Sequence, residues 1–313
     1  IPSNWNEKEI YLHFGAVSSA MNVWINGQSV GYSQGSKLPA EFNITPYLKS
    51  GKHSLAVDVF RWSDGSYLED QDFWRLSGIT RDVYLMARNS VHIRDFEVKS
   101  DLNSEYTNGQ FELNVEVNNL KEKEGNYIID VSLSNGESPI FNLSKNILID
   151  GKSTTVNFTQ QIDSVKKWSA EKPNLYNLIV SLKETDGSPI ENFTQQVGFR
   201  SVAIKDGLLQ VNGVPTTIKG VNLHEHHPKN GHVMDEATML KDIELMKSHN
   251  INAVRLSHYP HTERWYELCN QYGLYLVEEA NIESHGIMEE IEIYGAESKV
   301  KSLARNSNRY QAH

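Results

Sequence analysis

The stretch 251–277, INAVRLSHYPHTERWYELCNQYGLYLV, decides the fold of the last third of the chain. Its first six residues, four of which are apolar, are predicted to form a strand. Thr262 is predicted to cap a helix that ends at Gly273, because glycine suits the left-handed residue that terminates many helices. The apolar run 274–277 is then a second strand. Strands and helices that alternate at this spacing predict parallel βα units.

An equivalent unit precedes this stretch. Residues 217–223 are predicted to form a strand, and Asp235 is expected to cap a helix whose apolar face carries Met239 and Ile243. Three parallel strands are too few for a closed (β/α)8 barrel, which needs eight. Residues 201–313 are therefore predicted to be the start of such a barrel, truncated at its C-terminal end.

The first 200 residues have the period-two alternation of β-strands. In residues 1–90 the alternation surrounds Asn26-Gly27, a strong hairpin signal, and predicts a β-sandwich or jelly roll. Residues 91–200 contain about seven short apolar alternations and predict an immunoglobulin-like β-sandwich. The fold class is thus multidomain β plus α/β: a partial jelly roll, an immunoglobulin-like sandwich, and the first βα units of a (β/α)8 barrel.

Composition and charge exclude several classes of partner. The 313 residues include 30 Lys and Arg against 40 Asp and Glu, for a formal net charge of −10. A surface of this sign repels phosphate, so neither nucleic acid nor a membrane is expected as a partner. The single cysteine, Cys269, excludes an internal disulfide and is compatible with a reducing compartment. A cytoplasmic location is expected, with the periplasm as the alternative.

Polar residues of catalytic type follow each of the three predicted parallel strands. Because the C-terminal ends of such strands form the active-site face of a barrel, we expect the three clusters to converge there. One histidine alone more often has a structural role, but three clusters at equivalent strand ends favour a site. The clusters are HEHHP at 224–228, SHYP at 257–260 and EEANIESHG at 278–286.

Glu283 and His285 are two residues apart, so in an extended chain their side chains point to the same side. A carboxylate and an imidazole placed in this way can hold a divalent metal such as Mg²⁺. From the spacing alone, a simple hydrogen bond between the two side chains is the stronger interpretation. His224, His226 and His227 lack the helical i, i+4 spacing of a zinc protease.

A loop in the first domain, RWSDGSYLEDQDFWR at 61–75, combines carboxylates with aromatic rings. One interpretation is a solvated acidic turn anchored by Trp74. The other is a sugar-binding surface, because carboxylates accept hydrogen bonds from sugar hydroxyls and aromatic rings pack on sugar C–H faces. The spacing does not match the calcium loop of an EF-hand.

At these residues the sequence resembles the bacterial β-galactosidases of glycoside hydrolase family 2. The family's β-glucuronidases share the Ser-His-Tyr-Pro step but are not similar at the His-Glu-His-His-Pro and Asn-Ile-Glu-Ser-His-Gly segments, so a β-galactosidase is favoured. The matching stretches occur in the family's order at 61–72 with 74–75, 168–169, 173–176, 220–228, 257–260 and 279–286.

The resemblance implies an activity and a role for individual residues. Asp72 would contact the galactose 6-hydroxyl and help to hold Na⁺, and His224 and His258 would line the galactose pocket. Glu283 and His285 would bind Mg²⁺. The implied activity is retaining hydrolysis of terminal non-reducing β-D-galactose from a β-galactoside substrate, by a parent protein that is expected to be a homo-oligomer.

The resemblance also implies two catalytic glutamates that these residues lack. The family's acid/base lies in a Gly-Asn-Glu motif after the fourth barrel strand, and its nucleophile follows the seventh. We therefore expect a fragment that lacks the start of the jelly roll, with no catalytic residue of its own, an incomplete Mg²⁺ site and no activity alone. The alternatives are a non-catalytic carbohydrate-binding or complementing fragment, and another family 2 glycosidase such as a β-glucuronidase.

Overall fold

The computed structural model describes residues 1–285. Residues 286–313 of the predicted third domain, including Gly286 of the last strand-end cluster, lie outside the described residues. Three units follow one another along the chain, first two β-sandwiches and then an α/β unit. Within residues 1–285, no helix has the length and the apolar character needed to cross a bilayer.

The first unit is a sandwich of two three-stranded antiparallel sheets, with strand orders β5-β1-β9 and β4-β3-β6. Its core forms where alternate residues of β1 and β3, such as Leu12 and Val23, face each other. Asn26 and Gly27 join β3 to β4 with φ angles of 53° and 77°, the left-handed values that a two-residue hairpin requires, so the predicted hairpin is confirmed. The strands are β1 Glu9–Phe14, β2 Val17–Ser18, β3 Ala20–Ile25, β4 Gln28–Gln34, β5 Ala40–Asn43, β6 Leu55–Phe60, β7 Glu69–Asp70, β8 Gly78–Ile79 and β9 Val83–Arg88, with short 3-10 turns at Ser3–Trp5, Thr45–Tyr47 and Asp64–Tyr67.

The second unit packs a three-stranded sheet, β10-β11-β14, on a four-stranded sheet, β13-β12-β15-β16. The predicted immunoglobulin-like sandwich is confirmed, but its strands are 9 to 12 residues long rather than short. Inward residues such as Leu113 and Leu182 are fully buried between the sheets. The strands are β10 Val91–Leu102, β11 Gly109–Asn119, β12 Gly125–Asn135, β13 Ser138–Ile149, β14 Ser153–Ile162, β15 Tyr176–Glu184 and β16 Pro189–Val197.

The third unit begins with a small antiparallel sheet and continues as βα units whose parallel strands are ordered β20-β21-β22. Asp235 caps α1, because its carboxylate accepts the Thr238 N–H at 2.8 Å. Thr262 precedes α2 as predicted, but its side chain makes no capping bond. The elements are β17 Val202–Lys205, β18 Leu208–Val211, β19 Val214–Pro215, β20 Gly220–Leu223, α1 Glu236–Ser248, β21 Ala253–Leu256, α2 Glu263–Tyr272, β22 Tyr275–Val277 and β23 Glu283–Ser284.

Hydrogen bonds attach the α/β unit to both sandwiches. β23 pairs in parallel with β7 of the first unit, with Glu283 opposite Glu69. On the other side the buried Trp168 of the second unit donates its indole N–H to the Asn270 carbonyl of α2 at 2.8 Å. The first sandwich is thereby held at the edge of the parallel sheet where its strands end, which places the loop 61–75 beside the strand-end residues.

Gly273 is expected to be sensitive to substitution. It ends α2 with φ 76°, and a Cβ at this position would overlap the Ala170 carbonyl group of the neighbouring unit. Gly273→Ala is therefore expected to lower the free energy of unfolding by about 2–5 kcal/mol, since a left-handed alanine costs about 1–2 kcal/mol and overpacking adds about 1–3. Gly187→Ala is the matched control, because Gly187 also has a left-handed φ, 88°, but nothing lies within 4 Å of its added Cβ. Urea denaturation measures the free energy of unfolding of the two variants. Equal losses in both would show that overlap with Ala170 adds nothing to the cost of Gly273→Ala.

Candidate active site

The ends of the three parallel strands bring two histidines together. His224 follows β20 directly, and His258 lies two residues after β21. Their rings are 5.5 Å apart between centroids and nearly perpendicular, at 82°. Because β20 and β21 are neighbouring parallel strands, their C-terminal ends lie at the same edge of the sheet. This pair forms the floor of the candidate site.

His258 is oriented by carboxylates that follow β22. Its Nδ1 lies 2.7 Å from Glu279 Oε2, and its Nε2 lies 3.5 Å from Glu283 Oε2. Burial raises the pKa of Glu279, but hydrogen bonds from His258 and Arg255 outweigh it, and the pKa is lowered. Glu279 is therefore ionised at neutral pH and accepts the Nδ1 proton of His258. Sequence reasoning gave Glu279 no role, although its position just after a strand end was a usable signal.

His224 is held by an aromatic residue of the first sandwich. The Phe73 ring stacks on the His224 ring, with centroids 4.1 Å apart and planes inclined by 7°. Burial, followed by the nearby His258 and His226, lowers the pKa of His224. His224 is thus a neutral imidazole at neutral pH. Phe73 was missed in the sequence because one aromatic residue in an aromatic-rich loop carries no signal of its partner.

The loop 61–75 borders this floor. Gln71 donates to the Asn281 side chain at 2.5 Å, and the Trp74 carbonyl lies 2.8 Å from His232 Nε2. Asp72, between these two attachments, is exposed and makes no hydrogen bond or ion pair within residues 1–285. Its carboxylate is therefore available to an external donor. The Trp74 ring is 51% exposed, so the loop is anchored through the Trp74 backbone while this ring meets solvent.

Glu283 and His285 lie on the same side of the chain, as their spacing predicted. Glu283 Oε1 is 2.9 Å from His285 Nε2, which is the simple hydrogen bond that spacing alone favoured. Glu283 Oε2 is buried and has no hydrogen-bond partner among the described residues. An orphaned carboxylate oxygen beside an imidazole fits a divalent cation as two of its ligands. Within residues 1–285, however, no group of three or more His, Cys, Asp or Glu side chains could hold a metal ion.

The buried His261 is expected to make the free energy of unfolding depend on pH. It is 4% exposed, and burial lowers its pKa to about 4 despite the attraction of Glu225. Because an unfolded histidine has a pKa near 6.5, the unfolded chain binds this proton more readily between about pH 6.5 and 4. The free energy of unfolding should fall as the pH falls through this window. The expected loss from this group between pH 7 and pH 5 is about 2 kcal/mol.

Urea denaturation at both pH values measures this effect. His261→Gln should reduce the loss between pH 7 and pH 5, whatever its effect on stability at pH 7. His249→Gln is the control, because His249 is exposed at the end of α1. An unchanged pH dependence in His261→Gln would show that His261 does not carry the effect.

Three family models match the chain in succession. "Glycosyl hydrolases family 2, sugar binding domain" matches residues 1–89, and "Glycosyl hydrolases family 2" matches residues 91–200. "Glycosyl hydrolases family 2, TIM barrel domain" matches residues 202–313. Together the three models span both sandwiches and the α/β unit.

Individual relatives carry more specific names. The chain is 47% identical over 288 residues to a β-galactosidase of Priestia megaterium, covering 91% of this chain and 28% of that protein. It is 48% identical over 287 residues to a β-galactosidase of Vibrio cholerae, covering 89% and 28% respectively. The crystal structure of a Bacteroides uniformis β-glucuronidase is similar with a TM-score of 0.81 at 25% identity, covering 90% of this chain and 35% of that one. The chain thus spans about 28% of the length of these curated relatives.

Proposed function

The chain belongs to glycoside hydrolase family 2, and on that premise we propose that it supplies the galactose-binding half of the active site of a retaining β-galactosidase. The observation that carries the proposal is the junction of the two units at His224. There Phe73, the neighbour of Asp72 in the loop 61–75, stacks on His224 at the end of β20. His224 in turn lies beside His258. The identity of nearly half to two β-galactosidases supports the same substrate class.

The chemistry of each side chain suits a sugar. The free Asp72 carboxylate would accept a hydrogen bond from the galactose 6-hydroxyl and contribute a ligand to Na⁺. His258, whose Nδ1 proton is directed to Glu279, and the neutral His224 would present their remaining nitrogens to hydroxyl groups. These three residues bind and orient the sugar, whereas the acid/base and nucleophile belong to residues outside this chain.

Glu283 and His285 would hold Mg²⁺ as part of this proposal. The Oε2 atom of Glu283 supports the assignment. It makes no hydrogen bond among the described residues, with only the 3.5 Å approach of His258 Nε2, and a buried carboxylate oxygen in this state is costly unless a cation or water satisfies it. When bound, such an ion supplies positive charge beside the reacting sugar. A third protein ligand would have to come from outside residues 1–285.

The parent protein is proposed to act in the cytoplasm as a homo-oligomer on β-galactosides. The only cysteine, Cys269, is a buried free thiol, which is compatible with a reducing compartment. A β-glucuronidase is the second candidate, favoured by the names of the similar solved structures. The free Asp72 carboxylate argues against it, because it would repel the carboxylate of a glucuronide at the same position.

Binding of sugar analogues to the chain tests the proposal. Isopropyl β-D-thiogalactoside, titrated into the ¹⁵N-labelled chain, is expected to bind saturably with a dissociation constant on the order of millimolar. The corresponding thioglucuronide should bind more weakly. Absence of thiogalactoside binding by the folded chain would contradict the proposal, and stronger thioglucuronide binding would favour the second candidate.

Asp72→Asn is expected to reduce this discrimination. It removes the charge that repels a glucuronide and weakens the acceptor for the galactose hydroxyl, so the ratio of the two affinities should fall by about tenfold, as expected for a charge-assisted hydrogen bond. Asp206→Asn, in an exposed turn of the third unit, is the control and should leave the ratio unchanged. An unaltered ratio in Asp72→Asn would remove Asp72 from the site.

A further inference from the structure

The buried carboxylate of Glu225 joins the first sandwich to the α/β unit. Glu225 follows His224 and is 4% exposed. Its Oε2 accepts from Lys37 Nζ at 3.2 Å, and both of its oxygens accept from Arg81 Nη2, at 3.1 and 3.2 Å. Its Oε1 also accepts the backbone N–H of Thr262 at 2.7 Å. Burial raises the pKa of Glu225, but Lys37 and Arg81 outweigh burial and hold it below its usual range.

Lys37 and Arg81 both belong to the first sandwich, and each makes a second contact with the segment that follows β21. Arg81 Nη2 donates to the Pro260 carbonyl at 2.8 Å. The Lys37 ammonium lies 4.1 Å from the centroid of the Tyr259 ring, within the range of a cation–π contact. We call Lys37, Arg81 and Glu225 the charge cluster.

Tyr259 connects the charge cluster to the sugar-pocket histidines. It is 1% exposed, and its hydroxyl oxygen accepts the Glu225 N–H at 3.0 Å. The same hydroxyl lies 3.3 Å from His224 Nδ1, to which it can donate its own proton. That bond selects the His224 tautomer with its proton on Nε2. Tyr259 is also the residue after His258, so its placement constrains both rings.

We propose that Lys37, Arg81 and Glu225 are positioning residues, which lock Tyr259 and thereby set the orientation of His224 and the path of the chain through His258. Buried ion pairs contribute little net stability compared with apolar packing, but they can fix geometry. Here both Glu225 oxygens accept hydrogen bonds, whereas Arg81 Nε has no partner among the described residues. The consequence for sugar binding rests on the proposed function, whereas the effect on the two histidines does not.

Two amide protons report directly on the charge cluster. The Glu225 N–H donates to the Tyr259 hydroxyl and the Thr262 N–H to the Glu225 carboxylate, so side chains of the site protect both from exchange. Lys37→Met and Arg81→Met should each accelerate hydrogen exchange at these amides by about tenfold or more. The imidazole ¹⁵N signals of His224 and His258 should move, and thiogalactoside affinity should fall by about tenfold. Lys37→Arg and Arg81→Lys keep the positive charge, so each should cause smaller changes in exchange, imidazole signals and affinity than the corresponding Met variant.

Arg94→Met is the matched control. Arg94 is a half-exposed cation that pairs with Glu41 at 3.3 Å, away from the pocket, and its replacement should change none of these readouts. The imidazole signal of the buried His92 shows whether the sandwiches keep their fold. Unchanged exchange and unchanged His224 and His258 signals in both Met variants would overturn the inference. If those signals move but no variant and no wild-type chain binds thiogalactoside, the positioning stands and the proposed function fails.

Discussion

The purified chain is expected to hydrolyse a chromogenic β-galactoside no faster than buffer does. Retaining glycosidases need two carboxylates about 5–5.5 Å apart, one as acid/base and one as nucleophile. Each of the three glutamates that follow β22 accepts a hydrogen bond within the chain, and the family resemblance assigns none of them as the acid/base or the nucleophile. Their donors are the Tyr266 hydroxyl for Glu278, His258 with Arg255 for Glu279, and His285 for Glu283.

The size of this effect follows from the missing groups. General acid–base catalysis alone contributes about 10²–10⁴-fold, and a complete enzyme accelerates its reaction by at least about 10⁶-fold. A continuous assay at several chain concentrations measures the rate, with a His258→Ala preparation in parallel. A contaminating glycosidase would give equal activity in both preparations. Turnover that scales with the chain and disappears in His258→Ala would contradict the expectation.

Glu225→Ala is expected to cause the largest loss of stability. Removing this carboxylate leaves Lys37 and Arg81 buried without their anionic partner, and breaking a buried ion pair from one side costs about 3–5 kcal/mol. Glu267→Ala is the matched control. Glu267 also pairs with an arginine, Arg264, but its side chain is 53% exposed, and such surface pairs contribute at most about 1 kcal/mol.

Urea denaturation of both variants, followed by tryptophan fluorescence, measures the two losses. Glu225→Gln should lie between Glu225→Ala and the wild type, since an amide keeps one hydrogen-bond acceptor while losing the charge. Equal losses in Glu225→Ala and Glu267→Ala would mean that solvent reaches the charge cluster and that it does not join the two units.

Features decided by neighbouring residues could be predicted from the sequence. The hairpin at Asn26-Gly27, the cap at Asp235 and the left-handed end of α2 at Gly273 each depend on the conformational preference of one or two residues. The same holds for the order of strands and helices, because hydrophobic periodicity identifies an element without reference to its partners. Lengths were less accurate, and the sandwich strands of the second unit extend well beyond the apolar alternations.

Contacts between units could not be predicted in this way. Lys37 and Glu225 are 188 positions apart, and nothing near either residue indicates the other. Thr262 was predicted to cap α2, but its side chain makes no capping bond, and its backbone N–H donates to the distant Glu225 carboxylate. Phe73 and Tyr259 likewise contact His224 only through packing of distant segments, whereas Asp72, His224 and His258 were predicted from their motifs.

The most direct test locates a bound sugar. Intermolecular nuclear Overhauser effects should be measured between isopropyl β-D-thiogalactoside and the histidine-labelled chain at saturating sugar. The expected result is contact between the galactose ring protons and the imidazoles of both His224 and His258, with both contacts weakened in Asp72→Ala at the same concentration. Contacts confined to the second sandwich, or a saturated sugar that touches neither histidine, would contradict the proposed site.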